Sequence, residues 1–185
     1  MNDLFYATFS SQFDTFTILW KDFAARLKIQ RIFLSAPGFK SEEKALESFK
    51  GIKIGSSSSI ESLSKKIKQF LNGEKIRFDL ELVDFSRCFE IQKKVLVAEY
   101  GIPRGWVSTY KRIAEYIGIL KGARVVGNAL ARNPFPIIIP CHRAIKTNGE
   151  LGGFQGGINM KRRLLEMEGI KFSSKGKVIT DKIYY

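Results

Sequence analysis

Ile60, Leu63, Ile67, Phe70 and Leu71 recur at the spacing of one helix face, and the serine run Ser56, Ser57, Ser58, Ser59 ahead of them offers N-caps. Asn72-Gly73 closes that helix. Before it, residues 4–9, 16–20 and 28–34 are short runs rich in β-branched and aromatic side chains, ended by Ser35-Ala36-Pro37-Gly38, and they predict strands. After it, Ile76, Phe78, Leu80 and Leu82 alternate with Arg77, Asp79 and Glu81, the period of a half-buried strand. None of these residues carries obvious chemistry, so residues 1–84 read as a small α+β structural domain.

The pattern changes to helix around residues 83–87. Ser86 is placed to cap a helix whose Phe89, Ile91, Val95, Leu96 and Ala98 form an apolar stripe ending near Gly101. The turn Ile102-Pro103-Arg104-Gly105 leads to a second helix near Ser108, carrying Tyr110, Ile113, Ala114 and Ile117. A glycine-bounded break at residues 118–122 precedes a third helix over residues 123–132, and the pair forms a helix-turn-helix candidate. Pro134 and Pro136 end that helix. The expected fold is therefore α/β of the α+β kind. A small N-terminal strand–helix domain is followed by a mostly helical C-terminal domain over residues 85–172, with a basic tail at 173–185.

Charge sharpens this division. Residues 1–84 hold 13 Lys/Arg against 11 Asp/Glu, whereas residues 85–185 hold 18 against 7, so nearly all of the +13 lies in the second half. Such a surface suits a polyanion, most simply nucleic acid, although a lysine-rich solubilising surface gives the same count. The first residues lack a basic leader, and polar residues interrupt every apolar stretch before it could span a bilayer. The expectation is a soluble, cytoplasmic protein with its two cysteines reduced. One histidine and two cysteines cannot furnish a four-ligand zinc shell, so no metal is expected.

The chemistry concentrates in Pro140-Cys141-His142-Arg143, which follows the apolar run Pro136-Ile137-Ile138-Ile139 and contains the only histidine. A thiol becomes nucleophilic on losing its proton, and an adjacent imidazole and guanidinium are usual means of lowering its pKa. Glu168 ends a helix read over residues 159–168. It is either an exposed glutamate or the partner that fixes the His142 tautomer. Cys88, on the apolar stripe and away from basic neighbours, reads as a structural thiol. Ala123, Gly127 and Ala131 leave one face of the third helix almost flat, which fits tight helix packing or a DNA groove. Arg124 and Arg132 at its ends favour the groove.

These residues resemble a known family. Ile139-Pro140-Cys141-His142-Arg143, preceded by Arg132-Asn133-Pro134-Phe135-Pro136, is similar to the active-site signature of the O6-alkylguanine-DNA alkyltransferases. Residues 107–114 and 123–127 resemble that family's helix-turn-helix, and Gly152-Gly153-Phe154-Gln155-Gly156-Gly157 and residues 164–169 follow at its spacings. The resemblance covers residues 87–170. It implies that an alkylated guanine is flipped out of double-stranded DNA and that Cys141 takes the alkyl group irreversibly, in a single turnover. His142 would take the thiol proton, Glu168 would orient it, Asn133 would brace the turn, and Tyr110 would donate to the departing base. Arg124 would fill the vacated stack, with Lys111, Ala123, Gly127, Arg132 and Thr147 along the DNA. Pro136, Arg143, Ala144, Phe154, Gln155 and Lys161 would line the base pocket. No cofactor is implied, and the expected state is a monomer on DNA.

Two departures mark this chain: Val125 follows the arginine where alanine is usual, and Gln155 stands where serine is common. Three other functions compete on the same residues. A recognition protein that does not repair would lack the cysteine, a cysteine hydrolase usually draws its histidine from a distant segment, and a plain helix-turn-helix regulator needs no Cys-His-Arg.

Overall fold

The computed structural model describes residues 3–23 and 26–185, so Met1 and Asn2, part of the stretch read for a leader, lie outside it. The chain divides into two compact units, one of residues 1–86 and 134–138, the other of residues 87–133 and 139–185.

The first unit is built on an antiparallel meander, β1 (Phe5–Ser11), β2 (Asp14–Phe23) and β3 (Arg26–Leu34). With β4 (Lys53–Ile54) added parallel to β1, the sheet order is β3-β2-β1-β4. The meander strands run past the ends that their apolar runs predict, because the Phe9↔Phe16, Ser10↔Thr15 and Ser11↔Asp14 pairs extend the first hairpin into polar residues. Helix α1 (Ser41–Ser48) covers one sheet face, burying Ala45 against Tyr6, Leu19 and Phe33. Sequence periodicity does not reveal α1, since Glu42, Glu43, Lys44 and Glu47 leave it only Ser41 and Ala45 to bury. Ser41 Oγ sits 3.0 Å from Thr15 Oγ1 and accepts from Thr17 Oγ1 at 2.9 Å, so the buried hydroxyls satisfy one another. Helix α2 (Ser58–Leu71) buries the five predicted residues and Ser64.

The strand expected over residues 76–82 does not form. Asp79 caps a 3₁₀ turn at Leu80–Leu82 by accepting from Glu81 N–H, and strand pairing with the sheet shrinks to one bridge, Ile29↔Val83. Local turn chemistry outcompetes the period-2 pattern there.

In the second unit, α3 (Glu90–Gly101), α4 (Tyr110–Tyr116) and α5 (Ala123–Ala131) pack on one another, and α6 (Ile158–Met167) packs on a 3₁₀ turn at Cys141–Arg143. Ser86 does not cap α3. Its N–H bonds Asp84 Oδ1 instead, and Phe89 takes the cap position with 79% of its surface exposed. Cys88 consequently precedes the helix and is half-buried.

The mostly helical expectation for this unit needs correcting. Glycines and prolines keep residues 132–157 out of α-helix, and β5 (Ser108–Thr109) pairs in parallel with β6 (Ala144–Ile145). The stretch read as a tail adds β8 (Val178–Ile179) to β7 (Lys171–Phe172) and puts Ile183 against the cluster of Val107, Ile145, Leu151, Leu165 and Ile170. Tyr184 N–H donates to Val107 O at 2.8 Å, fixing that last segment beside β5. Among the described residues, no helix is long and apolar enough to cross a membrane.

Candidate active site

Cys141 opens a single 3₁₀ turn that also holds His142 and Arg143, and all three side chains are buried. Two hydrogen bonds to one carbonyl fix the entry to the turn. Asn133, just past the C-cap of α5, donates from Nδ2 to Ile139 O at 3.1 Å, and Cys141 N–H donates to the same carbonyl at 2.8 Å. Asn133 also hydrogen-bonds the thiol, favouring its ionised form.

Glu168 is not the surface residue that its helix-end position allows. With 9% exposure it caps α6 and aims inward. His142 Nε2 lies 3.0 Å from its Oε1, while Arg143 donates from Nε to Oε2 at 2.9 Å and from Nη2 to Oε1 at 2.8 Å. Arg143 therefore clamps Glu168 in a bidentate fork, and its Nη1 donates to Ile102 O at 2.6 Å. Its guanidinium serves this clamp, where the resemblance implied a base-pocket wall. Arg104, which sequence reasoning passed over as a turn residue, stands 3.9 Å from Glu168 Oε1 and donates to Met167 O at 2.7 Å. Burial opposes ionisation of Glu168, yet His142 and Arg143 hold its carboxyl well below the usual carboxylate range. Burial in turn lowers the pKa of His142, against the pull of Glu168, so the imidazole rests neutral.

On the other side of the thiol, Lys161 of α6 is fully buried and donates to Ala144 O at 2.7 Å and Gly153 O at 3.4 Å. Its ammonium lies 5.9 Å from the ring centroid of Tyr110, the first residue of α4, which Thr109 caps by accepting from Arg112 N–H. Burial pushes Lys161 down to about 8 and Tyr110 up to about 12, so the tyrosine remains a phenol and a donor. The thiol itself departs from expectation. Burial pushes Cys141 up to about 11, outweighing the Asn133 hydrogen bond and the Lys161 charge, so the resting residue is a protonated thiol.

Phe154 and Gln155 are half-buried, with the Phe154 ring edge-on to His142 at 6.2 Å. Gly152 has a φ of +73°, and a Cβ there would lie 2.5 Å from Tyr110 Oη. Gly152→Ala is thus expected to cost about 1–3 kcal/mol of stability and to displace the phenol, read as a lower melting temperature with a disproportionately slower reaction at Cys141. Pro136 is buried in the 134–138 segment of the first unit. Arg124, Lys111, Arg132 and Thr147 are exposed, Ala123 and Gly127 are half-buried, and open space faces Gly127. Lys111 and Thr147 share a cleft of about 570 Å³ with Thr109, Arg112, Ile183 and Tyr185. Among the described residues, no three His, Cys, Asp or Glu side chains are grouped as a metal would require.

A family model described as "6-O-methylguanine DNA methyltransferase, DNA binding domain" matches residues 90–170. A methylated-DNA–protein-cysteine methyltransferase of Methanothermobacter thermautotrophicus is 45% identical over 116 residues, 63% of this chain and 65% of that protein. Its namesake in Pyrobaculum aerophilum is 42% identical over 55% of this chain and 69% of its own length. The chain thus spans about two thirds of the length of these relatives. The structure of Mycobacterium tuberculosis OGT in complex with DNA superposes with a TM-score of 0.70 at 30% identity, over 89% of this chain and 93% of that one. Sequence likeness centred on the Cys141 segment and a likeness of fold that reaches into both units agree: the chain belongs to the O6-methylguanine-DNA methyltransferase family.

Proposed function

We propose that this protein repairs O6-alkylated guanine in DNA by moving the alkyl group onto its own Cys141, once per molecule. The observation that carries the reading is the buried Cys141 in one turn with His142, whose imidazole burial keeps neutral and an ionised Glu168 orients. A neutral imidazole is the form that accepts a proton. Nε2 is committed to Glu168, so the relay from the thiol, through a water molecule, runs to Nδ1. The resulting imidazolium is stabilised by the carboxylate beside it, while Lys161 faces the thiolate.

The thiolate attacks the alkyl carbon, the S–C bond forms as the C–O6 bond breaks, and the guanine leaves with the electron pair. Tyr110 hydrogen-bonds the departing base, whose nitrogen takes up one proton while the His142 imidazolium gives the thiol's proton back to solvent, so charge balances, and a stable thioether remains on Cys141. Because the alkyl carbon is unreachable in a stacked duplex, the nucleotide is flipped. In this reading α4 and α5 form the helix-turn-helix, Arg124 occupies the emptied stack, and Lys111, Arg132 and Thr147 meet phosphates. Residues 85–172 constitute the DNA-binding, alkyl-accepting domain, acting as a monomer without metal or cofactor, and residues 1–84 are scaffold.

Intact-protein mass spectrometry after incubation with an O6-methylguanine duplex tests the reaction. One added methyl, mapped to Cys141 and missing from Cys141→Ser, is the expected result. An unchanged mass alongside lesion-selective binding would replace the transferase by a damage-recognition protein. Arg124→Ala separates DNA handling from chemistry. It is expected to slow methyl transfer from duplex at least tenfold while leaving reaction with a free alkylated guanine base within about twofold.

A further inference from the structure

Of the two buried glutamates among the described residues, Glu168 holds His142 and Arg143, and Glu99 has no task in the scheme above. Glu99 sits in the last turn of α3 with 0% of its surface exposed. Neither carboxyl oxygen completes a hydrogen bond of normal geometry among the described residues, although the Ala144 main chain lies near enough to favour the charged form. A helix C-terminus also repels a carboxylate, and a leucine would fill similar space without either penalty. The same core holds a complementary anomaly. Lys161 is a fully buried cation whose ammonium donates to two carbonyl oxygens, neither of which carries a neutralising charge. Each feels the other electrostatically; Arg143 of the 3₁₀ turn also acts on Glu99, and Glu99 in turn raises the pKa of Cys141 of that turn, Tyr110 of α4 and Tyr185 of the last segment. Tyr185 closes this side of α3, its Oη donating to Ala98 O at 2.8 Å.

We propose that Glu99 is a positioning residue for alkyl transfer: it is the counter-charge that keeps Lys161 protonated opposite Cys141 and Tyr110. The assignment rests on the transferase reading. Lys161 is the cation that burial would otherwise strip of its proton, and a neutral lysine gives a nascent Cys141 thiolate nothing to face. Burial pushes Glu99 up to about 8, into the range where Lys161 titrates, so the two share one protonic equilibrium: Glu99 is a neutral acid at pH 6.5 and gains its charge as the lysine would otherwise lose its proton.

The test compares wild type with Glu99→Gln from pH 6 to 10, following methyl transfer from duplex and, without DNA, modification of Cys141 by iodoacetamide, mapped by peptide mass spectrometry with Cys88 as internal reference. In the wild type, Lys161 is expected to lose its charge near pH 8. The glutamine variant is expected to match within about twofold at pH 6.5 and to lose the lysine's contribution about one pH unit earlier, becoming about fivefold slower at pH 8. Superimposable profiles, or a uniform loss at every pH, would overturn the assignment. If the variant does not fold, NMR titration of the wild type decides: Glu99 Cδ and Lys161 Cε must report a shared inflection, and independent inflections would defeat the proposal. Failure of wild-type methyl transfer would remove the transferase reading, while the iodoacetamide profiles would still decide whether Glu99 governs Lys161.

Discussion

Glu168→Ala is expected to destabilise the second unit by about 3–5 kcal/mol, a loss of roughly 10 °C in melting temperature, and to abolish efficient alkyl transfer. The effect is large because the carboxylate has two buried partners: the variant leaves His142 at 0% and Arg143 at 8% side-chain exposure without their shared anion. An uncompensated buried guanidinium is the dominant cost. The pH dependence has a definite sign. Glu168 ionises far below its ordinary value of 4.5 in the folded protein, so its stabilisation is complete above 4.5 and fades as pH falls through the lower folded value. Thermal melts from pH 7 down to pH 2 are expected to show this acid-side slope in wild type and its loss in the variant. Glu168→Gln, keeping one acceptor, is expected to fall between the two.

Lys161→Met makes the opposite division between stability and rate. Methionine fills the lysine's volume and removes the cost of burying a charge, but leaves Ala144 O and Gly153 O without their donor and Glu99 without its counter-charge, so Glu99 stays protonated. Those terms oppose, so the melting temperature is expected to move by only a few degrees. Alkyl transfer at neutral pH is expected to slow by about 10–100-fold, because the thiolate loses the cation facing it. Since Lys161 titrates near 8 folded against 10.5 unfolded, its contribution to wild-type stability rises with pH across that window. Cys141, raised from 9.0 to about 11, opposes that rise in its upper part. The difference between wild type and variant reports the lysine together with the Glu99 and Cys141 titrations it is coupled to, and calorimetry from pH 7 to 10.5 measures it.

What was legible in the sequence follows from what each signal encodes. Helix α2 was readable because five apolar residues at helical spacing are all buried, and the Cys141 segment was readable because its residue types are rare in combination. Helix α1 was hidden because two small residues suffice to seat it on the sheet. The alternation over residues 76–82 misled because a period records which side chains face inward, while a strand also requires a neighbour with open backbone groups. Glu99 left a faint signal, a carboxylate beside Ala98 on an otherwise apolar stripe. Its partners come from residues 40 or more positions away, apart from Tyr110, and no local pattern announces them. The high thiol pKa was equally out of reach: neighbours in sequence suggest activation, whereas burial is a property of the folded core.

The excursion of residues 134–138 into the first unit bears on how the chain is synthesised. Ile32 N–H of β3 donates to Pro134 O at 2.8 Å, and Phe85 packs edge-on against Phe135 at 5.6 Å. Roughly fifty residues must therefore leave the ribosome after residue 86 before the first unit can acquire its last pieces. A nascent chain stalled ahead of Pro134 should expose an unpaired β3 edge to chaperones and proteases. The same five residues lead directly to Pro140 and Cys141, so during translation the first unit is completed only a few residues before Cys141 emerges.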